Sequence, residues 1–133
     1  MNKQYIDELD ALLGPKGMLP AAQSQPYIKD MQGYYQGEET LVLRPEDTQQ
    51  VAEAVKICAR HQVSIIPQGG HTGLCGGAVP LPAASSVIIS TERMNRILSI
   101  DPARYSITVE AGVILQSIHD AAHAVDREFA MDW

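Results

Sequence analysis

Apolar residues recur along the chain at two periods, one typical of helices and the other of strands. The helical period predicts three amphipathic helices, whose apolar stripes are Ile6, Leu9, Leu12 and Leu13, then Val51, Ala54, Val55 and Cys58, then Leu115, Ile118, Ala122 and Val125. Short apolar runs predict strands at residues 41–43, 64–66, 87–90 and 129–131. A hairpin is predicted about a turn at 101–104, from the alternation of Leu98 and Ile100 with Ile107, Val109 and Ala111.

The order of these elements predicts an α+β fold with α/β-like character. Strand 41–43, a helix capped by Asp47 with Gln50 as capping-box partner, and strand 64–66 form a βαβ unit. Its strands are expected to be a parallel pair with a right-handed crossover, and the hairpin and the third helix follow. Residues 1–40 are expected to form the first helix and an irregular connector held by its tyrosines, and residues 41–133 the main lobe.

Charge and cysteine content narrow the classes of function. Ten basic and 16 acidic side chains give a formal net charge of −6, which argues against binding to nucleic acid or to an anionic membrane surface. No apolar run approaches the length of a membrane span, and the N-terminus lacks a secretory pattern. Cys58 and Cys75 form neither a disulfide framework nor a zinc spacing. A cytoplasmic location is therefore expected.

Residues 67–80 fit neither a helix nor a strand. Five of the ten glycines lie between Gly69 and Gly77, a density that is tolerated where the backbone takes positive φ or closely approaches a ligand. Consecutive backbone amides can enclose an anion, so we interpret the segment as a loop around a phosphate or pyrophosphate. The spacing excludes a P-loop, since no lysine follows Lys56, and a Rossmann fingerprint, since position 68 is Gln. A flexible linker, the alternative, would be richer in serine and poorer in apolar residues.

The loop carries a family resemblance. It reads Pro67-Gln68-Gly69-Gly70-His71-Thr72-Gly73-Leu74-Cys75-Gly76-Gly77-Ala78-Val79-Pro80. This string resembles the pyrophosphate loop of FAD-linked oxidases of the p-cresol methylhydroxylase and vanillyl-alcohol oxidase type. The likeness is greatest to the branch of D-2-hydroxyglutarate dehydrogenases, D-lactate dehydrogenases and the glycolate oxidase flavin subunit. It continues at residues 43–45, 90–97 and 109–113, and covers roughly residues 5–133.

The resemblance implies that residues 41–133 are the first lobe of an FAD-binding domain, with FAD as the cofactor. The residues expected at the cofactor are Gln68, Gly69, Gly70, His71, Thr72, Gly73, Leu74, Gly77, Ala78, Ala111 and Gly112. The backbone amides of residues 69–73 and the Thr72 hydroxyl are expected to meet the pyrophosphate. For Gly112, a glycine that merely ends a strand before a helix is an equally good interpretation.

The resemblance also implies an intact enzyme that oxidises a small D-2-hydroxy acid. In the family, a second Gly-rich segment and a substrate domain follow this lobe, and the present 133 residues contain neither. The chain is therefore expected to be a truncated enzyme that holds FAD weakly alone, with its catalytic and substrate-binding residues unknown. We also expect an uncovered apolar face along residues 87–89 to drive self-association.

Two other functions stay open. A non-catalytic remnant would bind only a phosphate-bearing ligand or a partner chain. His119 and His123, four residues apart on the third helix, could share a metal as in a zinc hydrolase, although no third ligand is obvious. His71 raises a separate question, because in some relatives a Gly-Gly-His string carries the histidine joined covalently to the flavin. We expect His71 to be a non-covalent donor to the pyrophosphate or ribityl region instead.

Overall fold

A computed structural model describes residues 4–80 and 85–131. Its helices are α1 (Gln4–Gly17), α2 (Thr48–Arg60) and α3 (Leu115–His123). Its strands are β1 (Met18–Leu19), β2 (Leu41–Leu43), β3 (Ser64–Gln68), β4 (Ser86–Ser90), β5 (Ile97–Asp101) and β6 (Ser106–Val109). The mixture of helices and strands confirms the predicted fold class. No helix within the described ranges combines the length and the apolar character that a membrane crossing requires.

The main sheet has four strands in the order β1-β2-β4-β3. Strands β2, β4 and β3 are parallel, and β1 runs antiparallel to β2. The prediction that β2 and β3 pair directly is wrong, because β4 lies between them. The reason is burial: Val87, Ile88 and Ile89 of β4 are 0–4% exposed, and a strand that is apolar on both faces is best placed at the centre of a sheet.

Both faces of β4 are covered. On one face, Val87 and Ile89 pack with α1 and α2 in a core that includes Leu9 and Cys58. On the other, Ile88 packs against Ile28 of the connector. The expected uncovered face is therefore absent along residues 87–89, since the connector closes it. Truncating a buried isoleucine such as Ile88 to alanine typically costs about 2–5 kcal/mol.

The first helix breaks where the sequence predicts. Gly14 takes a left-handed φ of 66° and kinks α1, and one further turn continues to Gly17. The Gly17 carbonyl then accepts from the Arg44 amide (2.7 Å), which places β1 along the edge of β2. The connector is thus less irregular than expected, because its first residues form a strand. Not all of its tyrosines anchor the connector as expected, since Tyr34 is 79% exposed.

Helix α2 begins as predicted, with the Asp47 carboxylate accepting from the Gln50 amide (2.7 Å). The Gln50 side chain returns to the Glu46 amide (3.0 Å), one residue before the expected capping-box contact. Val55 is 41% exposed and does not belong to the buried face, where Ile57 takes its place. The buried set Ala54, Ile57 and Cys58 also has the i, i+3, i+4 spacing of a helix face, so the apolar period alone does not exclude Val55 in favour of Ile57.

Strands β5 and β6 form the predicted hairpin as a separate two-stranded sheet. The pair ends at Val109, so Ala111 lies beyond it. At its base, the Arg96 guanidinium donates to the Glu110 carboxylate (2.6 and 3.0 Å). This hydrogen bond lowers the pKa of Glu110 and raises that of Arg96.

The end of the described chain differs from expectation. Helix α3 stops at His123, so Val125 lies in the following turn. Residues 129–131 do not form the predicted strand and belong to neither sheet. Phe129 instead packs edge-on against the His119 ring, with centroids 5.9 Å apart.

Candidate functional site

The glycine loop begins at the carboxyl end of β3, which is the usual ligand side of a parallel sheet. Because β3 and β4 are parallel and in register, Gln68 pairs with Ser90. The chain leaving β4 therefore passes beside the chain leaving β3, and the Thr91 amide donates to the Gln68 carbonyl (3.0 Å). The segments that follow β3 and β4, together with the turn before α3, surround a cleft of about 390 Å³.

The cleft brings together part of the predicted site. Its lining residues are Pro26, Tyr27, Gln68, Gly69, Gly70, His71, Thr91, Glu92, Asn95, Gly112 and Ile114. Five of the eleven predicted cofactor residues are among them. Thr72, Gly73 and Leu74 lie further out and are exposed, so they form the rim of the loop. Ala111 faces a different depression, beside Arg96 and Glu110.

Four glycines of the loop have no steric reason among the described residues to lack a side chain. A Cβ at Gly69 or Gly70 would come no closer than 3.9 Å to another described heavy atom, and at Gly73 or Gly77 it would meet none within 4 Å. None of the four lies in the left-handed region, so of the two explanations for the density of glycines, positive φ does not apply to them. In the loop, Gly76 (φ 75°) has that conformation. The open space beside the other four is where an external group can approach the backbone.

Gly112 is a glycine of the opposite kind. A Cβ there would lie 1.9 Å from the Thr91 carbonyl oxygen, and its amide donates to the Met94 carbonyl (2.8 Å). The lack of a side chain at Gly112 is thus explained by packing within the chain. This contact locks the start of the α3 segment against the exit of β4 and closes one side of the cleft.

Gln68 holds the base of the loop. Its side chain is 4% exposed, and its Nε2 donates one hydrogen to the Tyr27 carbonyl (2.8 Å) and one to the Ala78 carbonyl (3.0 Å). Both hydrogens are therefore used within the chain. Gln68 joins the two ends of the loop to the connector, and Ala78 contributes its carbonyl to that junction.

His71 is likewise engaged within the chain. It has a left-handed φ of 57°, and its Nε2 lies 2.6 Å from the Lys29 carbonyl oxygen. Because a carbonyl only accepts, Nε2 must carry the proton. The other nitrogen, Nδ1, is enclosed and has no hydrogen-bond partner among the described residues. In this arrangement the ring N–H points to the connector, and the backbone of the loop is left to face a ligand.

No lysine or arginine of the described ranges lines the cleft. The guanidinium of Arg44 lies near it but pairs with Glu92 (3.0 Å) and donates to the Lys16 carbonyl (2.8 Å). The Tyr27 hydroxyl also donates to Glu92 (3.0 Å). Burial, and then this carboxylate, raise the pKa of Tyr27. An anion in the cleft would consequently be met by backbone amides, helped by the Thr72 hydroxyl at the rim.

Comparison with protein families agrees with this geometry. A family profile described as an FAD binding domain matches residues 40–133. The chain belongs to this family. The D-2-hydroxyglutarate dehydrogenase of Arabidopsis thaliana mitochondria is 38% identical over 119 residues, which are 89% of this chain and 21% of the relative. The glycolate oxidase subunit GlcD of Bacillus subtilis is 35% identical over 115 residues, 86% of this chain and 24% of the relative.

Solved structures carry the same fold. p-Cresol methylhydroxylase with bound substrate superposes with a TM-score of 0.74 at 26% identity, over 93% of this chain and 25% of that one. Alkyldihydroxyacetonephosphate synthase superposes with a TM-score of 0.81 at 19% identity, over 93% and 26% of the two chains. The chain thus spans about a fifth to a quarter of the proteins it matches. FAD is the cofactor of the family, and the open glycines of the loop fit it.

The cleft includes residues that sequence reasoning missed. Tyr27, Asn95 and Ile114 line the cleft, and none was predicted at the cofactor. Asn95 lies in the segment that resembles the family, so its position next to a strand exit was a usable signal. Tyr27 reaches the site across 41 residues of sequence, and no local pattern marks such a contact.

The two histidines of α3 do not form a metal site with other described residues. Their rings lie 6.4 Å apart, but no group of three or more His, Cys, Asp or Glu side chains among the described residues could hold a metal ion. His119 packs on Phe129, and His123 is exposed. The arrangement offers no support for a zinc hydrolase.

The two kinds of glycine predict opposite results for one substitution. We expect Gly112→Ala to destabilise the domain severely, because its Cβ would overlap the Thr91 backbone. Gly70→Ala, on the facing wall of the cleft, should leave the free energy of unfolding unchanged or raise it by up to about 1 kcal/mol, since the new methyl group restricts the unfolded chain. Urea unfolding followed by circular dichroism measures both. Equal losses of stability in the two variants would contradict this assignment.

Proposed function

We propose that the chain is the FAD-binding part of an FAD-dependent oxidoreductase that oxidises a small D-2-hydroxy acid. The observation that carries the proposal is the row of open glycines at the carboxyl edge of the parallel sheet. Each of Gly69, Gly70, Gly73 and Gly77 offers bare backbone with free space beside it. A pyrophosphate is a ligand that such a surface suits, because its oxygens accept hydrogen bonds from several amides at once.

The residues of the chain would bind and orient the cofactor. FAD, when bound, supplies the hydride-accepting group of the reaction. The amides of residues 69–73 would receive the pyrophosphate, and Gln68 and His71 would keep that backbone in place through their bonds to the connector. The cradle binds through backbone dipoles and needs no lysine. At physiological ionic strength, salt screens the repulsion between the pyrophosphate and distant acidic side chains, so the net charge of the chain opposes binding only weakly.

The described residues of the cleft do not include an evident set of catalytic groups. No described residue forms a nucleophile with an adjacent base in the cleft, and Glu92 is occupied by Arg44 and Tyr27. We therefore propose that substrate-binding and proton-accepting groups come from other parts of the protein, and that residues 1–133 alone are inactive.

The division into residues 1–40 and 41–133 stays a prediction. Self-association also stays a prediction, although the covered faces of β4 no longer provide a reason for it. A cytoplasmic location also stays a prediction, based on the free Cys58 and Cys75.

Titration with FAD tests the proposal directly. We expect ¹⁵N NMR to show shifts centred on the amides of residues 69–73, with a dissociation constant weaker than about 1 μM, because one lobe buries only part of a long ligand. Gly70→Ala and Gly73→Ala should weaken binding at least tenfold, since each Cβ occupies the space of the approaching phosphate.

Ser106→Ala, on the exposed hairpin, is the control and should bind FAD as the unmodified chain does. Sub-micromolar binding would show that the lobe is self-sufficient. Unchanged affinity in both glycine variants would remove the loop from the cofactor site. Shifts with inorganic pyrophosphate but none with FAD would favour the non-catalytic remnant.

The state of His71 predicts non-covalent flavin. Its Nε2–H is bound to Lys29 and its Nδ1 is enclosed, so neither nitrogen is presented to a flavin without breaking the contact. We expect acid precipitation of the intact flavin-loaded protein to leave the yellow colour in the supernatant. Colour in the pellet that survives washing would show a covalent bond and overturn the assignment.

The proposed substrate class rests on the relatives, two of which are named for D-2-hydroxyglutarate and glycolate. In the intact protein, anaerobic addition of D-2-hydroxyglutarate or D-lactate should bleach the flavin absorbance. The L-enantiomers serve as matched controls and should leave it unchanged. Bleaching by neither D-acid, or equal bleaching by both enantiomers, would refute the substrate assignment while leaving FAD binding untouched.

A further inference from the structure

The connector contains a compact hairpin, residues 28–37, which is held by one buried carboxylate. An antiparallel bridge closes it, and the Asp30 amide donates to the Tyr35 carbonyl (3.0 Å). Asp30 is 4% exposed. Its two carboxylate oxygens accept hydrogen bonds from the backbone amides of Tyr35 (2.7 Å) and Gln32 (3.2 Å). Bonds from amides to a charged acceptor are stronger than neutral ones, so Asp30 is the group on which this hairpin depends.

This connector hairpin, with Tyr27 just before it, contacts the glycine loop at four points. The contacts are the Tyr27 carbonyl with Gln68, the Lys29 carbonyl with His71, the Tyr35 ring with Gly76, and Gly37 with the Pro80 carbonyl. The last two are close packing: a Cβ at Gly76 would lie 3.0 Å from the Tyr35 ring, and one at Gly37 would lie 2.2 Å from the Pro80 oxygen. The course of the loop therefore follows the position of the hairpin.

We propose that Asp30 is a positioning residue for the cofactor. By holding the connector hairpin together, its carboxylate sets the Lys29 carbonyl and, through His71, the backbone of residues 69–73 that receives the pyrophosphate. Asp30 does not line the cleft, so it acts on the ligand only through the loop. This inference rests on the proposed function of the loop in FAD binding.

Charge and position predict opposite effects when Asp30 is replaced by Asn. Removing a negative charge near an anion site would by itself favour pyrophosphate binding. Asparagine, however, has one acceptor oxygen where aspartate has two, so one of the two backbone amides loses its partner and the hairpin loosens. A positioning role therefore predicts weaker FAD binding in spite of the more favourable charge.

The test compares Asp30→Asn with Asp10→Asn, which makes the same charge change on an exposed position of α1. Affinity is measured by NMR titration of the whole chain with FAD. We expect Asp30→Asn to raise the dissociation constant about tenfold, and Asp10→Asn to leave it unchanged. Equal or tighter binding in Asp30→Asn would overturn the inference.

A second arm needs no flavin. The Gly37 amide, which donates to the Ile28 carbonyl (2.7 Å), closes the same hairpin. In Asp30→Asn we expect hydrogen exchange of the Tyr35 and Gly37 amides to accelerate at least tenfold, and the ring N–H signal of His71 to be lost to exchange with water. Retention of that signal and of amide protection would refute the positioning role even if FAD does not bind. A failure of the proposed function, seen as no FAD shifts in the unmodified chain, is thereby distinguished from a failure of this inference.

A third variant separates positioning from general loss of structure. His71→Ala removes the contact to Lys29 but leaves the turn at Asp30 intact, so the Tyr35 amide should stay protected while FAD binding weakens. The double variant with Asp30→Asn should lose less FAD affinity than the sum of the two single losses, because both substitutions disturb the contact of His71 with Lys29. Additive losses of FAD affinity in the double variant would overturn the inference. Full FAD affinity in His71→Ala would also overturn it, and this result can be obtained even if Asp30→Asn does not fold.

Discussion

Burial of β4 on both faces is the constraint on which the rest of the structure depends. A strand whose consecutive residues Val87, Ile88 and Ile89 are all apolar must be covered from above and below. Helices α1 and α2 cover one side, and the connector must therefore return across the other, where Ile28 packs on Ile88. That return path brings the connector hairpin against the glycine loop. The same requirement that completes the core thus supplies the support of the candidate cofactor site.

The cleft illustrates how an acidic chain can hold an anionic ligand. Its nearby cation, Arg44, is paired with Glu92 and with a backbone carbonyl, so its charge is largely compensated where it stands. Backbone amides carry partial charges that are fixed in direction, and they need no counter-ion when the site is empty. Such a site owes its selectivity to the course of the backbone. Small displacements of the loop therefore matter more than the net charge of −6.

Sequence reasoning succeeded where a feature is local. The cap of α2 at Asp47, the kink at Gly14 and the hairpin of β5 and β6 each follow from residues close together in the chain. The order of the strands could not be predicted in this way, because periodicity does not specify which strand takes the centre. At the candidate site, glycine density identified the loop, but the supports of that loop come from residues about 40 positions earlier. Contacts of that range leave no period in the sequence.

The glycines of the site fall into two groups with different physical causes. Gly37, Gly76 and Gly112 are required by this chain itself, since a side chain would strike Pro80, Tyr35 or Thr91. Gly69, Gly70, Gly73 and Gly77 have space for a Cβ, and each costs about 0.5–1 kcal/mol of backbone entropy on folding relative to alanine. Four such residues together forgo about 2–4 kcal/mol, a substantial part of the roughly 5–15 kcal/mol by which a domain is stable. A cost of that size, with no steric cause among the described residues, supports the proposal of a ligand whose atoms occupy the space where the side chains would be.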